Sequence, residues 1–417
     1  MLIAFAPAER KIFRQEFETY LTATMRRLLK VLPLILNLTA LAAVIWIIIP
    51  APDYRIWLFS VAASEWSLWF GAFALLGIAA GLFSRRFDGK GKLWLGSAVV
   101  GGLAFVISLY PFFSVLSIAR GQNVSLKTYF NGIRKENNSS ADELKNFTTH
   151  TYAQADGNDL RLDVYLPTSS AANGASVIVV HGGSWSSGAR SDFPQWNRWL
   201  AAQGYTVFDI DYRIAPQPNY LTATGDVKCA VIWIKNHAAE FKISPERIAV
   251  LGRSAGAHLA LLAAYSAGDA RLPSTCSENE FGENIRAIVS FYAPTDLPWA
   301  YDNPANRLVI DGPATLSRFL GGSPHESNEI RERFVLASPT AHVSSKTPPT
   351  LLIHGGQDQL VRSENMTRLA GKLTEANAPH TALFIPYAQH GFDYNFNGFG
   401  AQIAQSEILG FLSENTR

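Results

Sequence analysis

The stretch Ile248-Ala249-Val250-Leu251-Gly252-Arg253-Ser254-Ala255-Gly256-Ala257-His258-Leu259-Ala260-Leu261-Leu262-Ala263-Ala264-Tyr265 decides the fold. Its first four residues form a short β-branched and apolar run that reads as a buried strand, and Ala257–Tyr265 is compatible with a helix. Between them stands Gly252-Arg253-Ser254-Ala255-Gly256, the pattern G-x-S-x-G. A serine placed on so tight a strand-to-helix turn projects its hydroxyl clear of the sheet. Flanking glycines permit the close backbone approach, and the following helix supplies a favourable dipole and an N–H donor. The five residues alone are a weak signal; the strand–turn–helix setting gives them weight.

Working outward, alternation at Leu160, Leu162, Val164 and Leu166 predicts an amphipathic strand. Short apolar runs follow at Val177–Val180, Tyr205–Asp211, Ile285–Phe291, Thr350–Ile353 and Ala382–Ile385. Helical patterns separate most of them. This alternation predicts an α/β domain with a mainly parallel sheet of about eight strands and helices on both faces. Active sites in such sheets form beyond the carboxyl ends of the strands. The polar motifs fall there.

A serine hydroxyl is a poor nucleophile until a base takes its proton, and that base needs a carboxylate to orient it. Asp358 follows the strand TLLIHGG and His390 follows ALFIPY, so the chain order is Ser254, Asp358, His390. That order is the one expected for a nucleophile on such a turn. Asp296, after AIVSFYAP, is the rival acid, with loop capping as its alternative role. His181-Gly182-Gly183-Ser184-Trp185 follows the strand SVIVV, and its unobstructed N–H groups make Gly182 and Gly183, with Ala255, the candidate oxyanion hole. His258, His181 and His354 read as structural residues. Residues 297–340 are long for a plain connection and are read as a lid-like insertion. Trp185, Trp299 and Tyr301 are the candidate pocket residues.

The front of the chain differs in kind. Residues 1–120 carry a net charge of +6 and residues 121–417 a net charge of −4, within a total of +2. A C-terminal part that leans acidic, without a Lys/Arg cluster, lacks the electrostatic footprint of a nucleic-acid binder. Val31–Ile49, Trp66–Phe83 and Leu93–Ala119 are uncharged and long enough to cross about 30 Å of hydrocarbon, so three transmembrane helices (31–49, 66–83 and 93–119) are expected. The first run is too long for a cleaved signal peptide, and two more follow it. Trp46, Trp57, Trp66, Trp69 and Trp94 lie near the ends of these runs, where indoles suit the headgroup region. Tyr110-Pro111 is a candidate kink in the third.

Basic residues at 10, 11, 14, 26, 27 and 30 and in the loop 84–92, against Arg55 alone in the loop 50–55, place the N-terminus in the cytoplasm by the positive-inside rule. Everything after Ala119 is then extracytoplasmic, that is periplasmic or equivalent. Arg120, Lys127, Arg134 and Lys135 oppose that placement. Residues 1–30, with Phe13, Phe17, Leu21, Met25 and Leu28 at helical spacing, are expected to form a cytoplasmic amphipathic segment or an extension of the first span. Residues 120–147 read as a polar connector, and 148–417 as the hydrolase domain. The two cysteines, Cys229 and Cys276, are read as one disulfide or two buried thiols.

Taken together, HGGSW at 181–185, DYR at 211–213, GRSAGAHLA at 252–260, HGGQD at 354–358 and QHGF at 389–392 resemble one family. It is the carboxylesterase group of α/β-hydrolases, which includes hormone-sensitive-lipase-like esterases, feruloyl-esterase-like domains and kynurenine formamidases. The similarity covers about residues 146–415. The HGG-x-W form is closer to the formamidase and feruloyl-esterase-like branch than to the lipase branch. A membrane segment ahead of such a domain is similar to prenylcysteine methylesterases. The resemblance implies a serine carboxylesterase acting through a Ser254–His390–Asp358 triad on a small-molecule or lipid ester, with no metal or organic cofactor. An arylformamidase or other amidase and a lipid esterase are the enzymatic alternatives, because the same triad serves all of them. A peptidase of the prolyl-oligopeptidase type is disfavoured by the lack of propeller-like repeats. A catalytically silent hydrolase-fold binding protein is the non-enzymatic alternative.

Overall fold

The computed structural model describes residues 7–88, 91–130, 147–168, 170–276 and 282–416. The chain divides into two compact units. One runs to Pro50 and resumes at Arg55–Phe113; the other takes Ala51–Tyr54 and Ser114–Arg417.

The first unit is helical. Helix α1 (Pro7–Val44) is unbroken, so residues 7–30 continue the first apolar run rather than forming a separate helix. The side chains of Phe13, Phe17 and Leu21 lie outside the described residues. A helix the sequence reading did not separate, α2 (Tyr54–Glu65), precedes α3 (Ser67–Asp88) and α4 (Leu93–Gly121), and α4 continues through Pro111. Three segments are long and apolar enough to cross a membrane by length and composition: Arg27–Ile47, Ser67–Arg86 and Leu93–Gly121. Asn37 of α1 is buried and donates from Nδ2 to the Ser97 carbonyl at 2.8 Å and hydroxyl at 2.9 Å on α4. A buried side chain with both bonds made ties α1 to α4 without leaving its amide donor unpaired.

The second unit is built on one sheet of eight strands in the order β1-β2-β4-β3-β5-β6-β7-β8. Strands β1 (Thr148–Ala155) and β2 (Asn158–Tyr165) form an antiparallel hairpin, and β2 pairs antiparallel with β4 (Thr206–Ile210). From β4 onward every pairing is parallel, through β3 (Ser176–Val180), β5 (Ile248–Arg253), β6 (Ala287–Phe291), β7 (Thr350–Gly355) and β8 (His380–Ile385). Strands β3, β5, β6 and β7 are buried throughout, because helices cover both faces, and this is why they read as continuous apolar runs. Strand β1 was not expected. As an edge strand it buries only Tyr152, so its hydrophobic alternation is faint. The available cue was Asp156-Gly157, whose φ values of 53° and 77° make the two-residue hairpin turn.

The covering helices are α5 (Pro194–Ala202), α6 (Tyr220–Asn236), α7 (Ala255–Tyr265), α11 (Glu364–Glu375) and α12 (Phe399–Asn415). Between β6 and β7 the insertion folds as α8 (Leu297–Asp302), α9 (Gly312–Leu320) and α10 (Asn328–Leu336). Part of the expected connector is packed against this unit: Tyr129 stacks on Phe399 with ring centroids 4.2 Å apart. Residues 131–146 lie outside the described residues. Cys229 of α6 and Cys276 are joined by a disulfide, with Cα atoms 5.0 Å apart.

Candidate active site

Ser254 occupies the turn between β5 and α7 with φ 54° and ψ −121°, a conformation unfavourable for a residue with a side chain. Its N–H donates to the Phe291 carbonyl at 2.9 Å and its carbonyl accepts from His258 N at 3.0 Å, which hold the strained residue from both sides. The second glycine of the motif is required by space. A Cβ on Gly256 would stand 2.2 Å from the His181 carbonyl oxygen. The same crowding brings the glycine turn after β3 onto the serine, since a Cβ on Gly182 would meet Ser254 Cβ at 3.4 Å.

Asp358 lies on the loop after β7 and His390 on the loop after β8. His390 Nε2 is 2.9 Å from Ser254 Oγ, and His390 Nδ1 is 2.7 Å from Asp358 Oδ2. Three loops, with His390 lying 136 residues after Ser254 and 32 after Asp358, thus meet in one hydrogen-bonded line. The Asp358 side chain is fully buried, its Oδ1 accepting from Leu360 N at 2.8 Å and Val361 N at 2.9 Å, while His354 Nε2 lies 3.2 Å from Oδ2. Burial by itself would raise this carboxyl. The charge of His390 and the hydrogen bonds from His354 and His390 outweigh it and hold the carboxyl well below the usual carboxylate range. An ionised carboxylate fixed on Nδ1 leaves Nε2 free to accept the serine proton and stabilises the imidazolium that results.

His354, read as structural, also lies 2.9 Å from the Val361 carbonyl oxygen through the same Nε2. The rival Asp296 caps α8, accepting from Trp299 N at 3.3 Å, and pairs with Arg368 at 2.6 Å, so it stands apart from His390. His181 stacks on Tyr212 at 4.3 Å, and burial lowers its pKa.

A cleft opens at Ser254, lined by Trp185, Ala300, Ile310, Leu316, Leu360 and Val361 among others. Trp185, a candidate pocket residue, is one of its walls. Trp299 and Tyr301 do not line it, because successive residues of α8 point about 100° apart and the helix turns Ala300 to the cleft. Trp299 instead packs under the Arg368 guanidinium at 5.1 Å, and Tyr301 against Phe334 at 5.5 Å. Among the described residues no cluster of three or more His, Cys, Asp or Glu side chains is arranged to hold a metal ion.

The sequence reading missed a buried network behind the serine. Arg253, the residue before Ser254, pairs with Asp393, which also accepts from Tyr292 Oη at 2.5 Å. The Tyr292 ring lies 4.3 Å from that of His390, and burial, then the charge of Asp393, pushes its phenol well above the usual range. The one sequence cue was a charged residue closing an otherwise apolar strand.

The sheet order and the serine turn after β5 define the class as an α/β-hydrolase. The BD-FAE family model matches residues 162–373, just over half of the chain, and the chain belongs to that family. It is 28% identical over 257 residues to the probable carboxylic ester hydrolase LipM of Mycobacterium tuberculosis, covering 61% of this chain and 58% of that protein. With the esterase LipC of the same organism it shares 31% over 239 residues, 56% of this chain and 57% of the relative. The chain thus spans less than two thirds of the length of these curated relatives. An esterase structure from Thermogutta terrifontis with propionate bound superposes with a TM-score of 0.52 at 25% identity, over 65% of this chain and 95% of that one. Its native form gives 0.52 at 26% identity, over 65% and 92%.

Proposed function

We propose that the protein is a membrane-anchored serine carboxylesterase. The observation that carries the reading is the unbroken hydrogen-bonded line from Ser254 Oγ through His390 to Asp358. His390 takes the Ser254 proton as Oγ attacks the ester carbonyl carbon, and the N–H groups of Gly182, Gly183 and Ala255 receive the oxyanion. Collapse expels the alkoxide, which leaves as the alcohol with the proton from His390. Water, deprotonated by the same imidazole, then attacks the acyl-serine; the carboxylic acid departs and Ser254 regains its proton. Asp358 keeps its negative charge throughout and orients the ring.

The esterase names of LipM and LipC support this chemistry, as does family membership. A second reading is that the ester belongs to a lipid-borne carboxylate. It is favoured by the three apolar helices and by a 27% identity over 254 residues to a probable isoprenylcysteine alpha-carbonyl methylesterase of Arabidopsis thaliana. In either case the N-terminus is cytoplasmic, the three apolar helices cross the bilayer, and residues 148–417 form an extracytoplasmic catalytic domain that the insertion 297–340 covers. The Cys229–Cys276 disulfide supports that side of the membrane, since structural disulfides persist in oxidising compartments.

The test is hydrolysis of p-nitrophenyl esters from acetate to palmitate by the purified full chain and by Ser254→Ala. Turnover lost by several orders of magnitude in Ser254→Ala is expected. Equal turnover by both proteins overturns the reading. A chain-length optimum at palmitate favours the lipid ester, and one at acetate or butyrate the small ester.

A further inference from the structure

Among the residues of the quoted motifs with no task in that chemistry are Trp185, which closes HGGSW, and His258, which stands four residues after the serine. Gly183, Ser184 and Trp185 have φ of 109°, 53° and 57°. Left-handed conformations cost a residue with a side chain on the order of 1–3 kcal/mol and persist only when surrounding contacts impose them. At Trp185 those contacts are explicit. Asn219 Nδ2 donates to the Trp185 carbonyl at 2.9 Å, Phe319 stacks on the indole at 4.2 Å, and the indole Nε1–H donates to His258 Nδ1 at 3.2 Å.

The direction of that last bond is fixed by the other imidazole nitrogen. His258 Nε2 lies 2.7 Å from the Ala337 carbonyl oxygen, an acceptor only, so Nε2 carries the proton and Nδ1 offers the lone pair that the indole needs. Trp185 and His258 are both buried, so no solvent competes for the bond. Burial lowers the His258 pKa to about 4, which keeps this neutral tautomer through the neutral range.

The bond joins the two halves of the site. His258 shares α7 with Ala255, whereas Gly182 and Gly183 belong to the loop that Trp185 ends. N–H donors from separate segments stabilise an oxyanion only when held to within about 0.5 Å of the productive geometry. We propose that the Trp185–His258 hydrogen bond sets the register between the two halves of the oxyanion hole, with His258 as a positioning residue. The inference rests on the serine-hydrolase reading above. Through Ala337 the same imidazole also grips the end of the insertion.

The test compares the full-length wild type, Trp185→Phe, His258→Phe and the double variant. Trp185→Phe keeps the stack on Phe319 and removes the N–H. The readouts are kcat and KM for p-nitrophenyl butyrate, the Ki of an aryl trifluoromethyl ketone, which forms a tetrahedral oxyanion on the serine, and the Tm. Each single variant is expected to lose about 10- to 100-fold in kcat with KM little changed, less than the ~10²–10³ lost by deleting a donor outright. Ketone affinity should fall by the same factor, and the double variant should be no worse than the worse single one.

Losses that multiply in the double variant, or a loss confined to KM with unchanged ketone affinity, overturn the inference. If His258→Phe fails to fold, Trp185→Phe alone decides it by kcat and Ki. A wild type inert toward both ester and ketone overturns the hydrolase reading, and this inference with it. An active wild type with independent variants overturns the inference only.

Discussion

Arg253 Nε and Asp393 Oδ2 lie 2.5 Å apart in the interior, tying the residue before the serine to the loop that carries His390. Phe193, Phe291 and Trp196 surround the guanidinium, the nearest ring centroid at 3.9 Å. Asp393 is fully buried and is held in addition by Tyr292 Oη, and its carbonyl accepts from Trp196 Nε1 at 2.9 Å. Removing one partner strands a charge away from water. Arg253→Met or Asp393→Asn should each destabilise the protein by about 3–5 kcal/mol, whereas Arg253→Met with Asp393→Leu should cost less than either alone. Thermal unfolding of the full chain in detergent checks this; a double variant worse than both singles would show that the pair stabilises by attraction.

The role assigned to Asp358 has its own signature. Asp358→Asn keeps the volume but presents an amide to His390 Nδ1, favouring the tautomer whose Nε2 carries a proton and cannot take one from Ser254. A loss of about 10⁴ in kcat is expected with KM nearly unchanged. Asp296→Asn, which alters the cap of α8 and its pair with Arg368, should leave kcat within about twofold while lowering Tm slightly. Steady-state kinetics on p-nitrophenyl butyrate separates the two carboxylates, and equal losses from both would refute the assignment.

Much of this was legible in the sequence, and the limits have physical causes. Strands β3, β5, β6 and β7 are buried on both faces and announce themselves as apolar runs, and the serine, acid and histidine each follow a strand end. Strand β1 escaped because an edge strand with one buried side chain has little hydrophobic signal. Trp299 and Tyr301 were misplaced because aromatic character does not say which face of a short helix meets the cleft. The Arg253–Asp393 pair joins residues 140 apart in sequence, so only the folded chain reveals it.

Two of the buried titratable groups, His258 and Asp209, pull stability against pH in opposite directions. Burial lowers the His258 pKa from an ordinary 6.5 to about 4, so the unfolded chain takes up a proton that the folded one refuses, and stability is lost as pH falls from about 6.5 to about 4. Burial raises Asp209 from 3.8 to about 7, although Ser191 N at 2.7 Å and Asn197 Nδ2 at 2.6 Å both donate to it. There the unfolded chain releases its proton first, and stability is lost as pH rises from about 4 to about 7. The two slopes largely cancel in the wild type. In Asp209→Asn the slope of His258, to which buried His181 adds in the same direction, is no longer opposed by Asp209, so Tm should fall between pH 6.5 and 4.5 more steeply than in the wild type. A variant with an unchanged pH profile would refute the opposing roles.

The disulfide makes the location testable with the protein's own atoms. Cys229 and Cys276 are the only two cysteines and are 47 residues apart, so their bond removes about 4 kcal/mol of loop entropy from the unfolded chain. Cys229→Ala with Cys276→Ala should lower Tm by an amount of that order, while kcat of the folded fraction stays near wild type, because neither residue touches the cleft. Cells quenched in acid and alkylated with a polyethylene-glycol maleimide report the thiol state directly. An extracytoplasmic unit should add no mass until a reductant is supplied and two adducts afterwards. Two adducts without reductant would place the unit in a reducing compartment, contrary to the topology proposed from the basic residues flanking the first and second apolar runs.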